Sequence, residues 1–101
     1  MTWHRVASIS EVEVDRGLAV RLGDKCLAIY RVHDKLYALD DVCPHGAALL
    51  SDGVVDGDTV ECPLHQAIFQ ISTGACLLEP AECDLATFQV KVEGDDILID
   101  L

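Results

Sequence analysis

Cys43-Pro44-His45-Gly46 forms one half of a paired motif whose other half is Cys62-Pro63-Leu64-His65, and sixteen residues separate His45 from Cys62. Each half carries one Cys and one His, so two thiolates and two imidazoles are available together. This is a ligand set of zinc sites and of some iron–sulfur centres. The sequence therefore predicts a metal centre whose ligands are Cys43, His45, Cys62 and His65.

The spacing of Cys43 and His45 helps to choose the metal, because only one residue lies between them. A single tetrahedral zinc ion is usually held by pairs with about two to four intervening residues, which let the chain wrap around the ion. In an extended segment residues 43 and 45 point to the same side, and Pro44 favours extended backbone at Cys43. Side chains held in this way suit two adjacent metal ions. The spacing therefore favours a [2Fe–2S] centre with both Cys on one iron and both His on the other.

A longer pattern surrounds these ligands and resembles that of Rieske-type ferredoxins. It comprises Cys43-x-His45-Gly46, Leu50-Ser51-Asp52-Gly53, Glu61-Cys62-Pro63-Leu64-His65, Phe69, Thr73-Gly74 and Glu79-Pro80-Ala81. In its length and strand pattern the whole chain is similar to the small ferredoxin component of bacterial multicomponent aromatic-ring dioxygenases. One departure is Pro44, where the family often carries a small polar residue. It removes a backbone N–H near the cluster but no ligand.

The resemblance implies a fold, a cofactor and a function. The implied fold is all-β and Rieske-type, with small antiparallel sheets and a loop-rich cluster-binding subdomain inserted into a β base. The implied cofactor is one [2Fe–2S] cluster per chain, on the four ligands above. The implied function is that of a one-electron carrier, not an enzyme, which passes electrons from an NADH-dependent flavoprotein reductase to a terminal oxygenase of aromatic hydrocarbon catabolism.

Two alternatives remain open at this point. The same fold also occurs as a small subunit or domain of other cytoplasmic oxidoreductases such as nitrite reductase, and copurification with a siroheme subunit would identify that role. A zinc-binding interaction module would instead be colourless, with one metal ion per chain. The one-residue spacing argues against zinc.

The charge of the chain limits its partners. Seven Lys and Arg stand against eighteen Asp and Glu, for a formal net charge of −11. Such a surface disfavours nucleic acid and anionic membranes. It suits rapid, salt-sensitive docking onto basic patches of redox partners.

Length and segment composition predict one domain in the cytoplasm. A chain of 101 residues suits a single domain, and we expect a monomer. No apolar run is long enough to span a membrane, and the first residues lack the basic and apolar regions of a signal peptide. Three Cys remain outside the ligand set, and in a reducing compartment they act as small hydrophobic residues.

Short strands with turn signals between them are predicted throughout. Near the N-terminus three antiparallel strands are expected, around Leu18–Leu22, Cys26–Val32 and Leu36–Asp40. Alternating apolar residues predict one strand over 86–92 and a returning strand over 97–101, while Asp56-Gly57 predicts a turn between two short strands. Trp3 is expected in the core. We divide the single domain, 1–101, into a base of 1–40 and 83–101 and a cluster-binding subdomain of about 41–82.

Two further expectations follow from the resemblance. High-potential Rieske proteins have hydroxyl groups that donate to the cluster and its Cys ligand, where this chain has Ala67 and Phe69. The expected potential is therefore at the low end of the Rieske range, roughly −150 mV, without proton uptake near pH 7. Both redox partners are expected to dock around His45 and His65, with Gln66 and Pro80 at the edge of the docking face.

Overall fold

The computed structural model describes residues 2–42, 49–63, 68–78 and 85–101. These residues form short strands and two 3₁₀ helices, Ile9–Glu11 and Leu50–Asp52, and they contain no α-helix. The strands are β1 (Trp3–Ser8), β2 (Leu18–Leu22), β3 (Lys25–Val32), β4 (Lys35–Asp40), β5 (Val54–Asp56), β6 (Thr59–Glu61), β7 (Ile68–Gln70), β8 (Cys76–Leu78), β9 (Thr87–Phe88), β10 (Val90–Glu93) and β11 (Asp96–Asp100). The all-β prediction is confirmed.

The strands make three antiparallel sheets. The outer sheet has the order β1-β11-β10, the middle sheet β2-β3-β4-β9 and the third sheet β5-β6-β7-β8. The third sheet is formed entirely by the chain between β4 and β9. We call it the ligand sheet, because the predicted ligands lie within or next to this part of the sequence.

Two-residue turns connect the strands in four of the hairpins, and the first turn residue has a positive φ in each. Three of these residues are glycines, which adopt positive φ without steric cost. The fourth turn is His33-Asp34, with φ values of 50° and 64°. Two successive left-handed residues make the type I′ turn that matches the twist of a hairpin. The predicted N-terminal strands are therefore confirmed, and the turn between the two short strands lies at Gly57-Asp58, one residue later than the predicted Asp56-Gly57.

Both faces of strand β3 are buried, because the strand packs into a core on each side. Its almost continuous apolar sequence is typical of such a strand. Ala28 and Tyr30 pack into one core with residues of the ligand sheet, whereas Leu27 and Ile29 pack into a second core with the outer sheet. The middle sheet thus joins the other two sheets, and any change in its packing affects both cores.

The predicted continuous strand over 86–92 is wrong in one respect. It is interrupted at Gln89, and its two parts belong to different sheets. Thr87 and Phe88 pair with β4 of the middle sheet, while β10 pairs with β11 of the outer sheet. The alternating pattern persists through the break because both parts have one partly buried face. The predicted hairpin with the last strand is confirmed for β10 and β11.

Strand β1 was not predicted from the sequence. It pairs with β11, which lies near the opposite end of the sequence. A bulge between Arg5 and Ala7 interrupts the alternation of this short strand. Trp3 was expected in the core but is 37% exposed, and the Lys91 Nζ lies 4.5 Å from the centre of its ring. An edge position in the outer sheet explains this exposure. The division into a base and an inserted subdomain stays a prediction.

Candidate metal centre

Cys62 is the one predicted ligand that lies within the described residues. Cys43, His45 and His65 lie outside them, as do Gln66 and Pro80 of the expected docking face. The geometry of the site is therefore built from the residues that flank the segments 43–48, 64–67 and 79–84.

Segment 64–67 connects to the ligand sheet on both sides at one end, and 79–84 is entered from the same end, whereas Leu85, directly after 79–84, bonds to Gly74 near the opposite end. Val54, Glu61, Ile68 and Leu78 form one row of paired residues across the four strands. Strands β6 and β8 end at this row, while β5 and β7 begin there. The chain on both sides of 64–67 and the chain that enters 79–84 therefore meet at this edge, which we call the ligand end. The opposite edge carries the Gly57-Asp58 turn and is called the far end.

Cys62 follows β6 directly at the ligand end and is fully buried. Its side chain belongs to the core that includes Val60 and Phe69. Burial in apolar surroundings excludes water, and a metal-bound thiolate is protected there from exchange and oxidation. The position suits a ligand of the inner ion of a two-metal centre.

The segment 43–48 is bracketed by a compact set of hydrogen bonds. Val42 and Leu49 form a bridge, and the Leu50 N–H donates to the Asp41 carbonyl at 2.7 Å. The Ser51 N–H donates to Asp41 Oδ1 at 2.7 Å, and the Ser51 hydroxyl donates to Asp41 Oδ2 at 2.8 Å. We call these bonds between Asp41 and the Leu50-Ser51 pair the ligand-end clasp. Together with the Val42–Leu49 bridge, it holds the described chain ends on either side of 43–48 at a fixed separation.

The carboxylate of the ligand-end clasp is almost completely buried, with Asp41 1% exposed. Burial raises the pKa of Asp41, the hydrogen bonds from Ser51 oppose this shift, and the charges of Asp52 and Asp40 add to it. Burial and the nearby Asp41 charge likewise raise the pKa of Tyr30. The Tyr30 hydroxyl is buried and has no hydrogen-bond partner among the described residues. It therefore remains protonated throughout the physiological pH range.

Two motif glycines are explained by close contacts with the backbone. A Cβ at Gly53 would collide with the carbonyl oxygen of Glu61, the residue before Cys62. Gly74 has a φ of 77°, and a Cβ there would collide with the Leu85 carbonyl oxygen. The Leu85 N–H also donates to the Gly74 carbonyl at 2.8 Å. Gly53 thus lets the chain that follows 43–48 touch the end of β6 directly before Cys62, and Gly74 lets the chain leaving 79–84 pack against the ligand sheet.

A second clasp with the same bonding pattern lies at the far end and was missed by the sequence analysis. The Ile71 N–H donates to the Asp58 carbonyl at 2.7 Å. The Ser72 N–H and hydroxyl donate to Asp58 Oδ1 and Oδ2 at 2.9 and 2.6 Å. We call it the far-end clasp. In both clasps a buried apolar residue precedes the Ser, at Leu50 and Ile71, but this sequence signal is too common to identify a pair.

The described residues are consistent with the predicted centre without completing it. No three His, Cys, Asp or Glu side chains converge in the ranges 2–42, 49–63, 68–78 and 85–101. A buried thiol and a clasp at the base of 43–48 fit a cluster held between the first two segments. Within the same ranges, none of the helices has the length and apolar character needed to cross a bilayer.

A comparison with protein families agrees with this geometry. The family model described as "Rieske [2Fe-2S] domain" matches residues 2–89. Among curated relatives, the ferredoxin component of the naphthalene 1,2-dioxygenase system of Pseudomonas aeruginosa is 40% identical over 99 residues. That match covers 98% of this chain and 95% of the relative.

Solved structures give the same result. The ferredoxin of Sphingomonas yanoikuyae B1 superimposes with a TM-score of 0.94 at 33% identity, over 99% of both chains. A chain from the complex of reduced oxygenase and oxidized ferredoxin in carbazole 1,9a-dioxygenase gives a TM-score of 0.88 at 38% identity. The latter covers 96% of this chain and 91% of that chain. The prediction of a Rieske fold of small antiparallel sheets is confirmed.

Proposed function

The chain belongs to the Rieske [2Fe–2S] family, and we propose that it is the one-electron carrier of a multicomponent aromatic-ring dioxygenase system. The structural observation that supports this role is the ligand end, where the buried Cys62 and the described chain on both sides of 64–67 lie at one edge of a small sheet. Identity of 40% to a dioxygenase ferredoxin over nearly the whole chain favours this system over the nitrite reductase alternative. In this role the protein converts no substrate itself.

We assign the cluster to Cys43 and Cys62 on one iron and His45 and His65 on the other. The complete burial of Cys62 supports the thiolates as ligands of the inner iron. When bound, the cluster takes up and releases one electron at a time. The imidazoles of His45 and His65, if they reached the protein surface, would offer the electron a short path out of the bound cluster. The residues around the cluster hold these ligands and exclude water from the inner side.

A low potential, roughly −150 mV, is part of this proposal. Phe69 is fully buried in the core that contains Cys62, and its ring offers no hydroxyl to a sulfur atom. A sulfur that accepts fewer hydrogen bonds leaves the reduced and more negative state less stabilised. Electron transfer then proceeds without proton uptake near pH 7.

The proposed partners are a flavoprotein reductase that supplies the electron and a terminal oxygenase that receives it. Both dock on the face around His45 and His65. Large apolar side chains next to the ligand segments are exposed, with Val42 41%, Leu49 39% and Leu77 53% exposed. Such side chains suit the centre of a transient interface, and the acidic surface steers the encounter. We place this monomeric carrier in the cytoplasm, where NADH supplies the reductase.

The first test is the optical and EPR spectrum of the purified chain before and after reduction with dithionite. Two iron atoms and two sulfides per chain, with a rhombic EPR signal that appears on reduction, are expected. A redox titration of the same sample tests the potential. A colourless protein containing one zinc ion would contradict the assignment, and a midpoint above zero would contradict the low potential.

The system is tested by reconstitution with the reductase and oxygenase of a naphthalene 1,2-dioxygenase system. Oxygenase turnover that depends on the chain is expected, and none is expected with His65→Ala.

The docking face is tested by Asp52→Lys at the ligand end and Asp56→Lys at the far end, since both residues are exposed. We expect about a tenfold slower electron transfer at low salt for the first and less than about a twofold change for the second. Equal slowing by both variants would contradict the proposed face.

A further inference from the structure

We propose that the ligand-end clasp of Asp41 with Ser51 is a positioning device for the cluster, whereas the chemically equal far-end clasp of Asp58 with Ser72 serves only the fold. This inference rests on the proposed ligand set. It assigns Asp41 and Ser51 a role in holding Cys43 and His45 at the correct separation, although neither residue is a ligand.

The two clasps are equal in their bonds. In each, a backbone N–H donates to the Asp carbonyl, and the next residue, a Ser, donates from its N–H and its hydroxyl to the two carboxylate oxygens. All six bonds lie between 2.6 and 2.9 Å. Removing the Ser hydroxyl therefore deletes a bond of the same geometry in both places, although Asp41 is more deeply buried than Asp58.

The clasps differ in their distance from the ligands. One bridged pair, Val42 with Leu49, separates the ligand-end clasp from the segment 43–48. Three paired rows, from Thr59 with Gln70 to Glu61 with Ile68, separate the far-end clasp from the chain beyond β6. The three residue steps from Asp58 to Glu61 span about 10 Å, at roughly 3.3 Å per residue. A disturbance at Asp58 is therefore absorbed by regular hydrogen bonds before it reaches Cys62.

No comparable ladder lies between the ligand-end clasp and the described residues that flank the first segment, Val42 and Leu49. Cys43 follows Asp41 by two residues, and a single isolated bridge holds the two sides of the segment together. Loss of the Ser51 hydroxyl also leaves one oxygen of a nearly buried carboxylate without its donor. The segment would then be held less tightly, whereas a cluster requires its ligands at fixed positions.

The experiment compares Ser51→Ala with Ser72→Ala in the holoprotein. The first readout is the rate at which a chelator bleaches the cluster in air, and the second is the set of g values of the reduced protein. For Ser51→Ala we expect bleaching about tenfold faster and shifted g values, because the ligands of both irons are displaced. For Ser72→Ala we expect bleaching within about twofold of the wild type and unchanged g values.

A second matched pair covers the case in which Ser51→Ala does not fold. Asp41→Glu and Asp58→Glu retain the charge and the acceptor atoms but displace them by one methylene group. The same asymmetry in bleaching rate and g values is expected. Equal effects of the two members in either pair would overturn the inference and show that both clasps are simply structural. A wild-type chain without a [2Fe–2S] spectrum is a different result, because it would overturn the proposed function itself.

Discussion

The two ends of the ligand sheet contain the same structural elements but differ in burial and in contacts. Each end has a glycine and an Asp–Ser clasp. At the far end Gly57 faces open space and Asp58 is only partly buried. At the ligand end Gly53 touches backbone and Asp41 is nearly inaccessible to water.

This difference indicates where the molecule tolerates change. The far end comprises the Gly57-Asp58 hairpin turn, which is open to solvent, and the β7–β8 connection, where Gly74 packs against the backbone of Leu85. The ligand end is a junction of three chain segments, where the exclusion of water makes each polar interaction stronger and each lost interaction more costly. Four matched pairs of substitutions test how far this contrast extends.

The largest difference is expected in the cluster content of variants at Cys62, directly after β6, and Cys76, in β8. Cys62→Ala removes a ligand at the ligand end, so the purified chain should contain no [2Fe–2S] cluster by iron and sulfide analysis. Cys76→Ala in β8 removes a partly buried side chain outside the predicted ligand set. It should retain the full cluster and lose about 1 kcal/mol of unfolding free energy. Cluster loss in the Cys76 variant would show that the ligand set is wrong.

The next largest difference is expected between the unfolding free energies of alanine variants at Gly53 and Gly57. Gly53→Ala places a methyl group against the Glu61 carbonyl, and we expect about 3 kcal/mol of lost unfolding free energy. Gly57→Ala meets no neighbour but must adopt a φ near 60°, which costs about 1 kcal/mol. Urea unfolding of the two variants measures both values. A larger loss at Gly57 would contradict the contrast between the ends.

Removing the negative charge of Asp41 should change the midpoint potential of the cluster more than removing that of Asp58. Asp41→Asn can keep both hydrogen bonds, with the Ser51 hydroxyl now accepting, but it removes a negative charge. Reduction adds negative charge to the cluster, so the midpoint should rise. For a separation set at roughly 10 Å and an effective dielectric constant of about 20, a unit charge would be worth ~1.7 kcal/mol, or about 70 mV.

The matched variant Asp58→Asn should shift the midpoint by less than about half as much, because the charge is farther away and partly exposed. A redox titration of both variants at one ionic strength makes the comparison. Equal shifts would mean that the two carboxylates act on the cluster only through the net charge of the protein.

The smallest effect is expected outside the ligand sheet. Lys91 lies 4.5 Å from the centre of the Trp3 ring, whereas Lys25 lies 5.9 Å from that of Phe88. Lys91→Ala should lower the unfolding free energy by about 0.5 kcal/mol, and Lys25→Ala by less. Neither should alter the midpoint potential. A changed potential in Lys91→Ala would mean that the outer sheet is coupled to the ligand end.

Much of the fold could be predicted because its signals are local. The N-terminal hairpins follow from alternation and two-residue turns, and the ligand pairs follow from spacings of one and two residues. The pairing of β1 with β11 gave no local signal, since the partners are far apart in the sequence. The break at Gln89 was hidden because each half of the segment keeps the same alternation.

The candidate ligands and their chemistry were determined by the sequence alone, since residue type and short spacing decide which donor atoms are available. The tertiary structure decided which ends of the strands meet, why Gly53 has no side chain, and that Asp41 and Asp58 each find a Ser ten or more residues away. The physical reason is the range of the forces involved. Side-chain periodicity and turn preference act over a few residues, whereas a contact between distant residues depends on the path of the whole chain between them.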